Sequence, residues 1–149
     1  MTVIRHLKEK DIPAIAALGK RFLKEVPTWG LVIRTDDELR KLDPDLIWVV
    51  EENDKLVGHA ICLPKKYDGQ NVFSEEDTIL ELDEIYLVPE MRGQGIGSEL
   101  LAVILDYAKK EGYTKSFVFS SVKDLMPVIK FYKNNGLKTW AVQFYKDLK

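Results

Sequence analysis

The sequence predicts a mixed α/β domain of the α+β kind, and three observations lead there. The first half holds two strand-like runs, 46–52 and 55–64, that meet at Asn53 and Asp54, a dipeptide suited to a tight hairpin turn. The second half orders a strand-like run at 78–88, a helical pattern after the glycines and a further apolar run at 115–121, which is a strand–helix–strand unit. Helical apolar spacing at 12–26, and again from near Asp124, supplies helices to flank these runs.

Taken in order, residues 2–7 read as a first strand. A helix follows with Asp11 as N-cap and Pro13 tolerated in its first turn. Ile12, Ile15, Ala16, Phe22, Leu23 and Val26 form its apolar face, and "PTWG" at 27–30 ends it. "TDDELRKL" from 35 predicts a short helix capped by Thr35 or Asp36, with Glu38 placed for a capping box. Residues 65–77, carrying Gly69 and Asn71, lack periodicity and predict a mobile loop. The 78–88 run has apolar residues on both alternating faces near its ends, the mark of a central strand covered on both sides, yet Asp83 and Glu84 interrupt its middle. Alternation places those two carboxylates on opposite faces.

Gly97, Leu100, Leu101, Ile104, Leu105 and Ala108 make one face of the next helix, which Gly112 stops. "KSFVFSS" at 115–121 predicts a buried strand. A last helix starts near Asp124, accepts Pro127 in its first turn, buries Leu125, Val128, Ile129 and Tyr132 or their neighbours, and ends at "NNG". "KTWAVQFYKDL" predicts one long alternating strand to close the fold.

At 149 residues with 46% hydrophobic residues and a net charge of -2, the composition is that of a single soluble domain, 1–149. Basic and acidic residues are interspersed, with no Lys/Arg cluster to track a phosphate backbone, so nucleic acid is not an expected partner. The longest unbroken apolar run, "LIWVV", is too short to span a bilayer, and the N-terminus lacks a signal-peptide core. The expected location is cytoplasmic, with no membrane partner. A lone cysteine, Cys62, and two histidines, His6 and His59, do not compose a zinc site, and no metal is expected. Cys62 and His59 read as packed or half-exposed strand residues.

"YLVPEMRGQGIGSELL" at 86–101 carries the chemistry. Glycines between a strand and a helix leave N–H donors bare at the positive end of the helix dipole, where a pyrophosphate fits. The amides of Gln94 to Ser98 are the expected donors. No lysine follows these glycines as a nucleotide-triphosphatase loop requires, and the spacing of Gly93, Gly95 and Gly97 is not that of a dinucleotide-binding fingerprint. A plain packing role for the glycines, and a surface role for Arg92, remain the alternative at this point.

The stretch resembles the [QR]-x-x-G-x-[GA] acyl-CoA loop of the GNAT superfamily of N-acetyltransferases through Arg92, Gly95 and Gly97. "IYLVPE" is similar to that family's fourth strand, and "FYKNNGL" at 131–137 to its FYxxxGF element. The likeness is close over 79–137 and extends to element order alone before that. It implies a mostly antiparallel mixed sheet, splayed between the fourth and fifth strands and flanked by about four helices. It also implies acetyl-CoA as co-substrate, held by Tyr86, Leu87, Val88, Arg92, Gly93, Gln94, Gly95, Ile96, Gly97 and Ser98. The thioester carbonyl would meet a backbone N–H near Tyr86 or Leu87.

In that mechanism the acceptor amine is itself the nucleophile. Glu84 is the first candidate for its base, Asp83 the second, and a water chain a third route; either carboxylate could instead be satisfied by a neighbouring cation. Tyr132 occupies the family's general-acid position, with a core aromatic as its other reading. Two departures stand out: Met126 occupies a position where the family often has a cofactor-contacting asparagine, and one closing strand replaces the usual pair.

Glu75, Glu76, Asp77, Glu81, Asp83 and Glu84 cluster just before and inside the 78–88 strand; they would favour a cationic acceptor if several face the cleft, the other reading being a solvated loop with strand-edge charges. Trp29, Tyr67 and Phe73 lie in the irregular segments that would border the acceptor side, with a loop anchor as the other reading of Trp29. The expected partner is a small-molecule or peptide amine, with a homodimer as a further possibility. A protein lysine or N-terminal acetyltransferase, and a non-catalytic acyl-CoA-binding module, are the competing readings.

Overall fold

The first strand, β1 (Thr2–His6), pairs antiparallel with β2 (Ile47–Glu52), and β2 with β3 (Lys55–Lys65). The computed structural model describes residues 1–69 and 72–149. Asn71, in the expected 65–77 loop, lies outside them. The hairpin turn is where the sequence puts it, with Asn53 and Asp54 both at positive φ, 51° and 62°, as a two-residue primed turn demands. β4 (Ile79–Leu87) pairs antiparallel with β3 and parallel with β5 (Lys115–Val118), so the sheet runs β1-β2-β3-β4-β5. No helix among the described residues is long and apolar enough to cross a membrane.

Helices cover both faces. On one side α1 (Ile12–Glu25) and α2 (Asp36–Arg40) bury Ile12, Ile15, Ala16 and Leu39 against Ile47, Val49 and Ile61. On the other, α3 (Ile96–Lys110) packs Ile96, Leu100, Leu101, Ile104 and Ala108 onto Trp48, Val50, Ala60, Cys62, Leu80 and Leu82, with Phe131 and Tyr132 of α4 (Met126–Asn134) at the margin. A fully buried aliphatic side chain contributes about 1.5–3 kcal/mol, so these two layers dominate the stability.

Local chemistry explains the ends of the elements. Thr35 Oγ1 accepts from the Glu38 amide at 3.2 Å while Glu38 accepts from the Thr35 amide at 2.7 Å, the reciprocal box expected there. Asp11 occupies the N-cap position of α1 without capping it. Its buried carboxylate instead takes two hydrogen bonds from Arg5, at 2.7 and 3.1 Å, and one from the Lys8 amide. Arg5 also reaches Glu51, tying β1, β2 and the start of α1 together.

Four expectations are corrected. Leu18 is buried on α1 against Tyr86 and Val88, while Leu23 is 45% exposed. β5 ends at Val118 and is only half-buried, with Phe119 exposed, since no further strand covers its outer side. α4 begins at Met126 and leaves Leu125 outside, 43% exposed. Residues 138–149 form no strand: the alternation is present in the sequence, but no backbone pairs with it among the described residues.

Arg5 and the Lys8 amide hold the Asp11 carboxyl below its ordinary value, so its stabilising contribution is present above a pH of about 4 and is lost as pH falls through the depressed value. Asp11→Ala is expected to lower the unfolding free energy at pH 7 by about 1–3 kcal/mol, with a smaller gap to wild type at pH 3. Urea titrations at the two pH values check this, and a gap independent of pH would refute the assignment.

Candidate active site

One extra residue in β4 shapes the site. Ile61 of β3 pairs with Glu84, but Cys62 pairs with Leu82, so Asp83 is a bulge with no partner on β3. Leu80 and Leu82 therefore join the α3 core, whereas Tyr86 and Val88 pack with Leu18 of α1. Glu84 is turned the same way as Ile61 and meets His59, with both side chains buried. His59 Nδ1 has no partner among the described residues.

The bulge also corrects the expectation that Asp83 and Glu84 point to opposite faces. Asp83 pairs with Arg34, from the segment that follows α1, at 2.6 Å, so both carboxylates meet partners on the α1 side. Glu81 joins them: burial, and then a hydrogen bond with Asp83, push its carboxyl above the ordinary value, with Lys65 at 3.7 Å. Asp77 plays another part. The Ser74 amide, Lys115 and Thr114 hold it down to about 2, fastening the loop to β5. Glu75 and Glu76 are exposed.

β5 accompanies β4 only as far as Leu82. Beyond Val118 the chain turns toward the 27–29 segment, where Trp29 N bonds Ser121 O and Lys123 N bonds Pro27 O, both at 2.8 Å. From Asp83 to Leu87 no strand pairs with the outer edge of β4 among the described residues.

The glycine loop lies at the end of that edge. Gly93 and Gly95 have φ of 74° and 83°, a left-handed conformation that costs other residues roughly 1–2 kcal/mol. α3 starts at Ile96, so the first amides of the helix lack helical acceptors and face outward as donors. Gly97 has a different reason: a Cβ there would lie 3.2 Å from the Phe131 ring, so it lets α4 close on α3. Packing thus explains one of the three glycines, and positive φ the other two.

Arg92 is exposed and lies back along the strand. Its Nε donates to the Leu87 carbonyl at 2.8 Å, its Nη1 pairs with Glu25 at 2.8 Å, and its guanidinium lies 5.6 Å from the Tyr86 ring centre. The Tyr86 hydroxyl donates to Glu25 as well, and Phe22 stacks on the Tyr86 ring at 4.9 Å. Burial and the Glu25 carboxylate push the Tyr86 hydroxyl up to about 12. Gln94 bonds the Glu90 carbonyl and is exposed with the loop.

Tyr132 sits half-buried against the α3-side core, edge-on to Phe131. Burial, then the nearby Cys62, push its hydroxyl up to about 12. Cys62 is fully covered and its thiol is also raised to about 12 by burial, so it is a core residue rather than a nucleophile. Met126 is exposed. Trp29 carries Lys123 over its face at 4.5 Å, and Phe73 contacts Phe117 at 5.5 Å.

Sequence reasoning missed His59, Glu25 and Arg34. Only the β3–β4 register puts His59 beside Glu84, and no local pattern joins α1 or residue 34 to β4. A carboxylate in a strand that reads as covered on both sides was the available signal, since such a group needs a buried partner.

The Acetyltransferase (GNAT) family profile matches residues 15–137. An uncharacterised N-acetyltransferase of Methanocaldococcus jannaschii is 34% identical over 101 residues, covering 67% of this chain but 42% of that protein, so this chain spans less than half of its length. An aminoalkylphosphonate N-acetyltransferase of Salmonella typhimurium is 27% identical over 97% of this chain and 90% of its own. Among solved structures, an aminoglycoside N-acetyltransferase in complex with CoA superposes with a TM-score of 0.74 at 18% identity, over 100% of this chain and 96% of that one, which shows the shared fold.

If Gly97 serves the contact with α4, Gly97→Ala should destabilise the protein by about 1 kcal/mol, and Phe131→Leu should relieve that cost in the double variant. Additive losses in the four-way cycle of thermal melts would sink the packing assignment.

Proposed function

Because the chain belongs to the GNAT family of acetyltransferases, we propose that residues 1–149 act as one N-acetyltransferase domain that moves an acetyl group from acetyl-CoA to the primary amine of a small cationic acceptor, by direct attack in a ternary complex. The observation that carries this reading is the open β4 edge, which lies between the donor amides of the glycine loop and the carboxylates around the bulge.

The residues fit an acyl-CoA. The Gly93–Ser98 backbone offers converging N–H donors for a pyrophosphate, and Arg92 keeps that loop docked on Leu87 and Glu25. The β4 edge from Asp83 to Leu87 can hydrogen-bond the amides of a pantetheine arm, whereas Val88 gives its N–H to Val57 and its carbonyl to Met91, and an N–H at Tyr86 or Leu87 can donate to the thioester oxygen as charge develops there. Acetyl-CoA supplies the activated acyl group.

Base and acid candidates lie on opposite faces of this edge, Glu84 on the α1 side and Tyr132 on the α3 side. An amine with a pKa near ~10.4 needs about 4–5 kcal/mol to lose its proton at pH 7, at ~1.36 kcal/mol per unit. Glu84, braced by His59, takes that proton directly or through water. The amine nitrogen bonds to the acyl carbon, the carbon–sulfur bond breaks, and Tyr132 passes its proton to the departing sulfur. Asp83 and Glu81 draw the ammonium in, with Arg34 holding the place on Asp83 that the acceptor takes. The small amines named for the Salmonella relative and the aminoglycoside enzyme support that choice.

Acetyl-CoA-dependent thiol release, measured with polyamines, aminoglycosides, amino acids and lysine peptides against a no-acceptor blank, tests the whole reading. Release with the first two classes is expected; release with peptides alone would transfer the activity to protein substrates, and binding without release would make the chain an acyl-CoA-binding module. Gly95→Val should abolish acetyl-CoA binding by calorimetry while far-UV circular dichroism is unchanged. Tyr132→Phe is expected to lower kcat about 100-fold with little change in acetyl-CoA affinity. With its hydroxyl at about 12, Tyr132 stays protonated throughout the working range, so a falling limb of kcat near neutral pH would assign the acid elsewhere.

A further inference from the structure

His59 is wholly covered, and its two ring nitrogens stand in opposite conditions. Nε2 meets Glu84 Oε2, while Nδ1 has no hydrogen-bond partner among the described residues. In the sheet, Val49 of β2 flanks His59 on one side and Tyr86 of β4 on the other, with the Tyr86 ring centre 6.1 Å away. Alternation along β3 sets it on the face of Ile61, which packs with Ile12, Ile15 and Val49 in the layer under α1. An aliphatic side chain would fill such a place without leaving a polar atom bare.

The bare nitrogen decides where the proton sits. A neutral imidazole carries one N–H and an imidazolium carries two. A hydrogen on Nδ1 would be a buried donor with nothing to receive it, whereas a hydrogen on Nε2 is received by the Glu84 carboxylate. His59 therefore gives Glu84 one N–H from Nε2 and leaves only a lone pair bare on Nδ1. Glu84 stands differently. It is 8% exposed, and its Oε1 has no partner among the described residues. One carboxylate oxygen is tied to the sheet, and the other is left to take a proton. A proton taken there stays on the carboxyl, because Nε2 already holds its own hydrogen and Nδ1 is not the nitrogen that meets Glu84.

We propose that His59 is a positioning residue of the transfer reaction, its Nε2–H fixing the Glu84 carboxylate in the orientation that presents Oε1 to the acceptor amine. The role rests on Glu84 serving as the acceptor's base. His59 acts through Glu84 alone: the amine gives its proton to Oε1 as its nitrogen bonds to the acyl carbon, and the hydrogen on Nε2 never leaves. What the histidine supplies is a fixed direction for the base, which proton transfer in a ternary complex requires.

Long-range nitrogen–proton NMR correlation spectra of the full chain at neutral pH read the tautomer without any turnover, with hydrogen on Nε2 and a bare Nδ1 expected for His59. Kinetics then separate the roles, using acetyl-CoA and whichever polyamine or aminoglycoside gives the fastest thiol release. Glu84→Gln should lower kcat about 100-fold. His59→Leu should lower it about 10–100-fold with KM for acetyl-CoA unchanged. His59→Gln, whose side-chain amide nitrogen stands as many bonds from the backbone as Nε2, should restore most of kcat, and His59→Asn, whose amide stands where Nδ1 does, should not. Thermal melts tell loss of fold from loss of rate, and the spectra and the Gln–Asn contrast decide the matter even if the leucine variant does not fold. Hydrogen on Nδ1, wild-type kcat in His59→Leu or His59→Asn, or a folded but slow His59→Gln would overturn the proposal, and a slow Glu84→Gln would then leave the base in place. Wild-type kcat in Glu84→Gln would remove the base itself, and the role of His59 with it.

Discussion

The bulge at Asp83 is the constraint on which the site depends. In a regular strand Leu82, Glu84 and Tyr86 would share one face, and burying Leu82 under α3 would carry Glu84 into an apolar core without a partner. One extra residue breaks the alternation. Leu82 keeps its place in the core, and Glu84 turns to His59 on the other side. The same irregularity brings Asp83 and Glu81 into contact beside Arg34. A cluster of carboxylates in mid-sheet becomes tolerable because each has found a hydrogen-bonding neighbour.

The early end of β5 is the second half of that design. A parallel partner along the whole of β4 would satisfy the strand and close the cleft. Instead the chain leaves after Val118 and is captured by the 27–29 segment through Trp29 and Lys123. The freed edge leads to the glycine loop, which Arg92, Glu25 and Tyr86 fasten to α1. Placing α1, the loop and the open edge in one bonded network fixes donor amides and carboxylates relative to one another, which positional chemistry requires.

Much of the architecture was legible because it rests on local rules. Asn53–Asp54 can turn with positive φ, Thr35 and Glu38 cap each other, and the α3 residues from Leu100 to Ala108 share a helical face. The glycine loop was legible for the same reason, although the residues divide its labour: Gly93 and Gly95 supply conformation, Gly97 supplies room for Phe131. Leu23 and the 138–149 segment were misread where periodicity exists without a surface to bury it.

The sequence by itself determined the order of the elements, the hairpin, the glycine turn before α3 and the family, since each depends on residues near in the chain or on a spaced motif. Tertiary structure alone decided that His59 stands against Glu84, that Arg34 meets Asp83, and that Arg92 pairs with Glu25. Those contacts follow from strand register and helix docking, where one bulged residue changes which side chains share a face, and no pattern local to the chain encodes that choice.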